Sequence, residues 1–201
     1  MQIIVKKFGG TSLASITRIN RAISYIKNTL NKGYKVVVVV SAMGKETDRL
    51  LSLDDKLEEY RQSDDIAALL SSGEQVSSSF FSIILNKNNI NGKSFQGWQV
   101  PIYTSDNFIN ASIVNINIKN IVKSLKKNQT PVVSGFQGIS SDNRITTIGR
   151  GGSDTTAVAL AAKLNAKRCD IYTDVDGVYT GDPKIITDAK KMGKIDFEEM
   201  L

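Results

Sequence analysis

The sequence predicts an α/β protein, a three-layer α/β/α sandwich around a largely parallel sheet. Three observations carry this. Short β-branched runs alternate with segments of helical period. One of those runs, residues 36–40, is five consecutive valines, the pattern of a parallel strand covered on both faces. Glycine-rich stretches fall where strands end and helices begin, which is where ligands sit in such sheets.

The elements follow in order. Residues 3–5 read as a first strand ending at Lys7. Over 15–32, Ile16, Ile19, Ile23, Ile26 and Leu30 recur at alternate spacings of three and four, as a core-facing helix requires, and Gly33 is a suitable stop. With 36–40 as the next strand, the order implies a parallel pair and a right-handed crossover. Helices are expected over 50–60 and 66–85, and an extended segment over 94–100. A short amphipathic helix follows at 118–125 and a buried strand at 131–135. Residues 140–144 read as a turn, and 145–148 as a strand or hairpin arm. An alanine- and leucine-rich helix is expected over 154–164 and a strand over 169–173. Residues 195–201 look like a helix entry with Asp196 as its N-cap.

Composition narrows the chemistry. The chain has 201 residues, 41% apolar and 23% charged, enough for one domain with a sizeable core. No apolar run is long enough to span a bilayer, and the first residues lack the layout of a signal peptide, so no membrane association and a cytoplasmic location are expected. There is no histidine, which removes Ser-His-Asp hydrolysis and a histidine base. Cys169 is alone, so there is no internal disulfide and no cysteine zinc site; a buried apolar role is expected for it. The net charge of +6 is spread along a chain with only 7% aromatics, which argues against nucleic acid as partner. Such a field still favours anionic substrates.

Three glycine-rich stretches then stand out: Lys7-Phe8-Gly9-Gly10-Thr11-Ser12, Gly149-Arg150-Gly151-Gly152-Ser153-Asp154, and the run 173–183. Glycine lets backbone approach a ligand closely, and successive N–H groups at a helix start can cradle phosphate. The first two stretches each carry a cation, Lys7 and Arg150. The third is acidic, as a loop near magnesium and ribose would be. None matches the P-loop or G-x-G-x-x-G fingerprints.

Together these stretches resemble the signature of aspartokinases, within the amino acid kinase superfamily. Val39-Val40-Ser41-Ala42-Met43-Gly44 and Ser72-Gly73-Glu74 are similar to further motifs of that family, and the likeness runs the whole chain in the family's order. The resemblance implies an aspartate kinase, moving the γ-phosphoryl group of ATP, with Mg2+, to the β-carboxylate of L-aspartate. That reaction enters lysine, threonine and methionine biosynthesis. It implies Lys7 as the catalytic lysine that neutralises charge on the phosphoryl group, organised by Asp154, with no general base. Arg150 would hold the substrate α-carboxylate and Glu74 its α-ammonium. Ser41, Thr47 and Ser153 would shape the substrate pocket. Gly9, Gly10, Thr173, Asp174, Tyr179, Asp182 and Lys184 would join Lys7 in binding nucleotide. No side chain is assigned as a metal ligand, and the complete protein is expected to be a homo-oligomer.

Three departures from the family pattern stand out. Lys184 stands where many members have arginine, and Ser112 where an arginine usually follows the alanine. The sequence stops before a later Gly-Ala-Lys motif, so residues 1–201 are expected to form the kinase domain without its last strand and without regulatory domains. Two other functions stay open: another acyl-phosphate-forming kinase of the superfamily, or a nucleotide- or partner-binding module without turnover.

Overall fold

A computed structural model describes residues 1–53, 63–174, 177–181 and 185–196. Its centre is a five-stranded, all-parallel sheet. β1 (Ile3–Phe8) pairs with β2 (Lys35–Val40) on one side and with β9 (Arg168–Tyr172) on the other. Beyond β2 lie β6 (Thr130–Ser134) and β3 (Gly92–Phe95), giving the order β3-β6-β2-β1-β9. Strand alternation sends Val37 and Val39 of β2 into one core and Val36, Val38 and Val40 into the other. The five-valine run is thus buried on both faces, as its composition predicts.

Helices cover both faces. α1 (Ile16–Asn31) and α3 (Asp64–Lys87) enclose the core containing Phe8 and Val38. α4 (Lys119–Lys126) and α5 (Gly152–Lys163) enclose the core containing Val5 and Val39. Ser15 caps α1, its hydroxyl accepting from the Arg18 N–H at 3.3 Å, and Gly33 leaves the helix at φ +82°. Ile19, Ile23 and Ile26 are buried as the spacing requires. Ile16, the first helical residue, is exposed instead.

Several boundaries differ from expectation. Of the helix expected over 50–60, residues 54–60 lie outside the described residues; ahead of them α2 (Glu46–Leu51) closes at Ser52, whose N–H donates to the Asp48 carbonyl. Extension over 94–100 ends at Phe95, because the Gln99 side chain accepts from the Gln96 N–H and folds 96–100 into a turn. The helix expected at 154 begins two residues sooner. A second, four-stranded sheet was not anticipated. It comprises β4 (Ile102–Thr104), β5 (Ile113–Ile116), β7 (Gln137–Ile139) and β8 (Ile145–Thr147), in the order β5-β4-β7-β8. β7 and β8 form an antiparallel hairpin, so 145–148 is a hairpin arm. Asp196 is described, but the helix expected after it is not.

Candidate active site

Before its last residue, Phe8, β1 carries two consecutive lysines whose side chains must leave the sheet on opposite faces. Lys6 is 2% exposed and its ammonium is held by Asp170 Oδ2 at 2.8 Å and the Tyr172 hydroxyl at 2.7 Å, both on β9. Burial alone would raise the Asp170 carboxyl. Hydrogen bonds from Arg168 and Lys6 outweigh it and hold that group below its ordinary value. Lys7, on the other face, is also buried, and its ammonium lies 2.8 Å from Asp154 Oδ1. Only Lys7 reaches the cleft at the carboxyl end of the sheet. The Lys6 cluster was not foreseen, since nothing in the sequence pairs positions 6 and 170.

The glycines after β1 bring three loops together. The Gly9 N–H donates to the Tyr172 carbonyl at 3.1 Å, so that amide is already bonded to β9. The Gly10 carbonyl accepts from the Gly44 N–H at 3.0 Å, and a Cβ on Gly10 would lie 2.6 Å from the Ala42 carbonyl oxygen. Glycine here lets the 41–44 loop approach as closely as backbone can.

That loop meets α3 at Glu74. Small residues allow the contact, since a Cβ on Gly73 would sit 2.9 Å from the Ala42 Cβ. Glu74 is 3% exposed. Its Oε1 accepts from the Ala42 N–H at 2.9 Å, while Oε2 has no hydrogen-bond partner among the described residues. Burial pushes this carboxyl up to about 7, only partly offset by the N–H groups of Ala42 and of Glu74 itself. An unpaired buried carboxylate oxygen facing a cleft is a site that a cation would satisfy.

Arg150 projects between two residues in the left-handed region, Gly149 at φ +47° and Gly151 at φ +75°. Gly151 leads directly into α5, with Ser153 and Asp154 in the first turn, where the helix dipole favours a carboxylate. Arg150 is exposed and makes no ion pair among the described residues.

These segments close round a cleft of about 200 Å³. Lys7, Ser41, Thr47, Glu74, Arg150, Ser153 and Asp154 all line it, so every residue expected around the amino-acid substrate is brought to one place. Phe136 also lines it and was missed. It sits at φ +67° and packs on Gly152, a backbone property with no sequence signal beyond the preceding Gly135. Thr173 and Asp174 line a different, larger hollow of about 440 Å³, shared with Thr11, Ser12, Arg21 and Tyr25. The Thr173 hydroxyl donates to Asp174 Oδ1 at 3.2 Å. Tyr179 is in an isolated bridge with Lys191 and lines neither cavity. Asp182 and Lys184 lie outside the described residues. Among the described residues no three His, Cys, Asp or Glu side chains converge on a metal site, and no helix is long and apolar enough to cross a membrane.

Comparison with known proteins matches this arrangement. An aspartokinase of Rickettsia bellii is 46% identical over 204 aligned residues, covering 100% of this chain and 50% of that protein. The chain thus spans about half the length of the curated relatives it matches. Among solved structures, aspartate kinase from Synechocystis superposes with a TM-score of 0.78 at 40% identity, over 96% of this chain and 32% of that one. Aspartokinase III of E. coli, in complex with aspartate and ADP, superposes with a TM-score of 0.82 at 28% identity, over 95% of this chain and 53% of that one. A family model described as "Amino acid kinase family" matches residues 2–201. With its parallel sheet, its glycine loops and its sequence matched from end to end, the chain belongs to the amino acid kinase family.

Proposed function

We propose that residues 1–201 form the kinase domain of an aspartate kinase, which transfers the γ-phosphoryl group of ATP to the β-carboxylate of L-aspartate and yields 4-phospho-L-aspartate and ADP. One observation carries the reading. A single cleft places a buried carboxyl, Glu74, and a guanidinium, Arg150, that lack ion-pair partners among the described residues beside a buried lysine. An α-amino acid presents the complementary ammonium and carboxylate. Arg150 suits the α-carboxylate because a guanidinium fork can bind it through two hydrogen bonds. The identity to aspartokinases over the full length of the chain supports aspartate as the amino acid.

In this mechanism the ionised β-carboxylate attacks the γ-phosphorus, and the bond to the β-phosphate's bridging oxygen breaks. No base is required, because the nucleophile carries no proton. Lys7 stabilises the charge that spreads over the transferring group. Asp154 keeps the Lys7 ammonium at the cleft wall, positioned before substrate arrives. Glu74 and Arg150 fix the amino acid so that its distal carboxylate points along the cleft. Thr173 and Asp174 are read as nucleotide contacts from the neighbouring hollow, joined to the Lys7 loop by the bond from Gly9 to Tyr172. Gly10, Tyr179, Asp182 and Lys184 retain nucleotide roles in this proposal.

With no group of three His, Cys, Asp or Glu side chains converging among the described residues, magnesium is read as arriving with the nucleotide, where it would neutralise phosphate charge. The reading extends to a cytoplasmic homo-oligomer at an early step of lysine, threonine and methionine biosynthesis.

Trapping the acyl phosphate with hydroxylamine tests the assignment. Aspartyl hydroxamate should form with magnesium-ATP and L-aspartate, and not with L-glutamate in its place. Turnover of glutamate or a nucleoside monophosphate, with none of aspartate, would refute it.

A further inference from the structure

Glu74 is an unusual partner for an ammonium group. It lies inside α3, 3% exposed, with one oxygen bonded to the Ala42 N–H and the other unbonded among the described residues. The charged groups around it are committed elsewhere or distant. β1 offers Lys7, which is paired with Asp154 of α5 at 2.8 Å. α2 offers Glu46, which is paired with Arg49 at 2.7 Å. The turn before α5 offers Arg150, exposed at the cleft wall. The strands beneath α3 contribute Ser134, Thr146 and Thr147, all neutral. Among the described residues no charged side chain thus pairs with Glu74, and burial is the largest influence on its titration. A lone buried carboxylate relieves this by taking up a proton.

We propose that Glu74 stands as a neutral carboxylic acid in the ligand-free chain, and that the ammonium of the bound amino acid replaces its proton, which leaves to solvent. The inference rests on the reading of the cleft as an amino-acid site and adds proton release to it. The balance is simple. A protonated Glu74 and a cationic amine become a carboxylate–ammonium pair and one free proton, with no change of oxidation state. Binding that releases a proton strengthens as pH rises. The amino acid's own two carboxylates stay ionised throughout.

The sequence makes this linkage readable. It contains no histidine, the side chain that ordinarily titrates between pH 5 and 8. Burial and the nearby charges of Asp170 and Asp154 push the Cys169 thiol further above that range. A proton appearing near neutrality therefore points to Glu74.

The test is calorimetric titration of the 201-residue chain with L-aspartate in two buffers of different ionisation enthalpy. From a carboxyl near 7, about 0.9 proton should leave per aspartate at pH 6 and about 0.1 at pH 8, with binding about tenfold tighter at pH 8. Succinate, the same dicarboxylate without the amine, should release none at pH 8, and at pH 6 only the fraction of a proton that its own second carboxyl still carries. Glu74→Gln, which keeps the shape of the neutral acid, should bind aspartate more weakly and without pH dependence. If that variant does not fold, the comparison of aspartate with succinate on the unaltered chain still decides. Equal affinity and buffer-independent heats for aspartate at both pH values overturn the proposal and leave the aspartate reading intact. Equal proton release by succinate overturns it as well. Absence of aspartate binding at every pH removes the amino-acid site, and the proposal with it.

Discussion

Glu74→Gln should make the ligand-free chain more stable, and the gain should depend on pH. The Glu74 carboxyl is raised from 4.5 to about 7, so the folded state holds its proton more tightly than the unfolded chain does. Between pH 4.5 and 7 the folded state therefore binds more protons, and stability falls as pH rises. Above 7 the whole loss is present: a shift of this size corresponds to about 3 kcal/mol at 1.36 kcal/mol per unit. Glutamine cannot ionise, its carbonyl can still accept from the Ala42 N–H, and its amide faces the cleft. For a domain of this size about 3 kcal/mol corresponds to roughly 6–12 °C in melting temperature. Thermal melts followed by circular dichroism should show the variant ahead by that margin at pH 8. The two proteins should converge as pH is lowered to 4.5. A gap that is absent, or the same at both ends of the range, would show that Glu74 does not carry a buried charge at pH 8.

Three further outcomes are expected. Lys7→Ala should lower kcat by roughly 10²–10³ while changing nucleotide affinity far less, as measured by steady-state kinetics beside nucleotide titration; near-normal turnover would make the lysine structural. Arg150→Ala should raise KM for aspartate about tenfold or more and leave KM for ATP in place, whereas Asp174→Ala should do the reverse; equal damage to both constants from both variants would indicate misfolding instead. Gly10→Ala should destabilise the chain by about 1–3 kcal/mol in denaturant titrations, because its Cβ would press at 2.6 Å on the backbone oxygen of Ala42; an unchanged midpoint would mean that the 41–44 loop yields freely.

Legibility in the sequence followed the range of the interactions. The valines of β2 and the isoleucines of α1 declare themselves because periodicity is local, and the one exposed isoleucine among them, Ile16, is the first residue of the helix. β4 and β5 are three and four residues long, too short for alternation to register, and Val114 of β5 is 72% exposed. The residues of the cleft could be named from motif resemblance, but their environment could not. Ser-Ser-Gly-Glu-Gln reads as a wet helix face, yet α3 runs beneath the second sheet and buries Glu74. The Gly9 amide reads as a free donor for phosphate. Its partner, the Tyr172 carbonyl, is set by the register of β9, far along the chain.

The back-to-back lysines of β1 also bear on how the sheet finds its alignment. Sliding Ile3–Phe8 by one residue would keep an apolar side chain at two positions and put a lysine where a lysine had been, but it would also put a lysine in the place of Val5 or of Phe8. The first residues of the strand are therefore interchangeable marks on a ruler. Its position has to be read from the other end, where Phe8 stacks on Tyr172 at 4.7 Å and on Phe81 at 5.8 Å, and where a Cβ at Gly10 would meet the Ala42 carbonyl oxygen at 2.6 Å. The aromatic ring and Gly10 behind it act as the stop against which the strand is pushed, and they decide which of two chemically identical lysines faces the cleft and which is sealed under Tyr172.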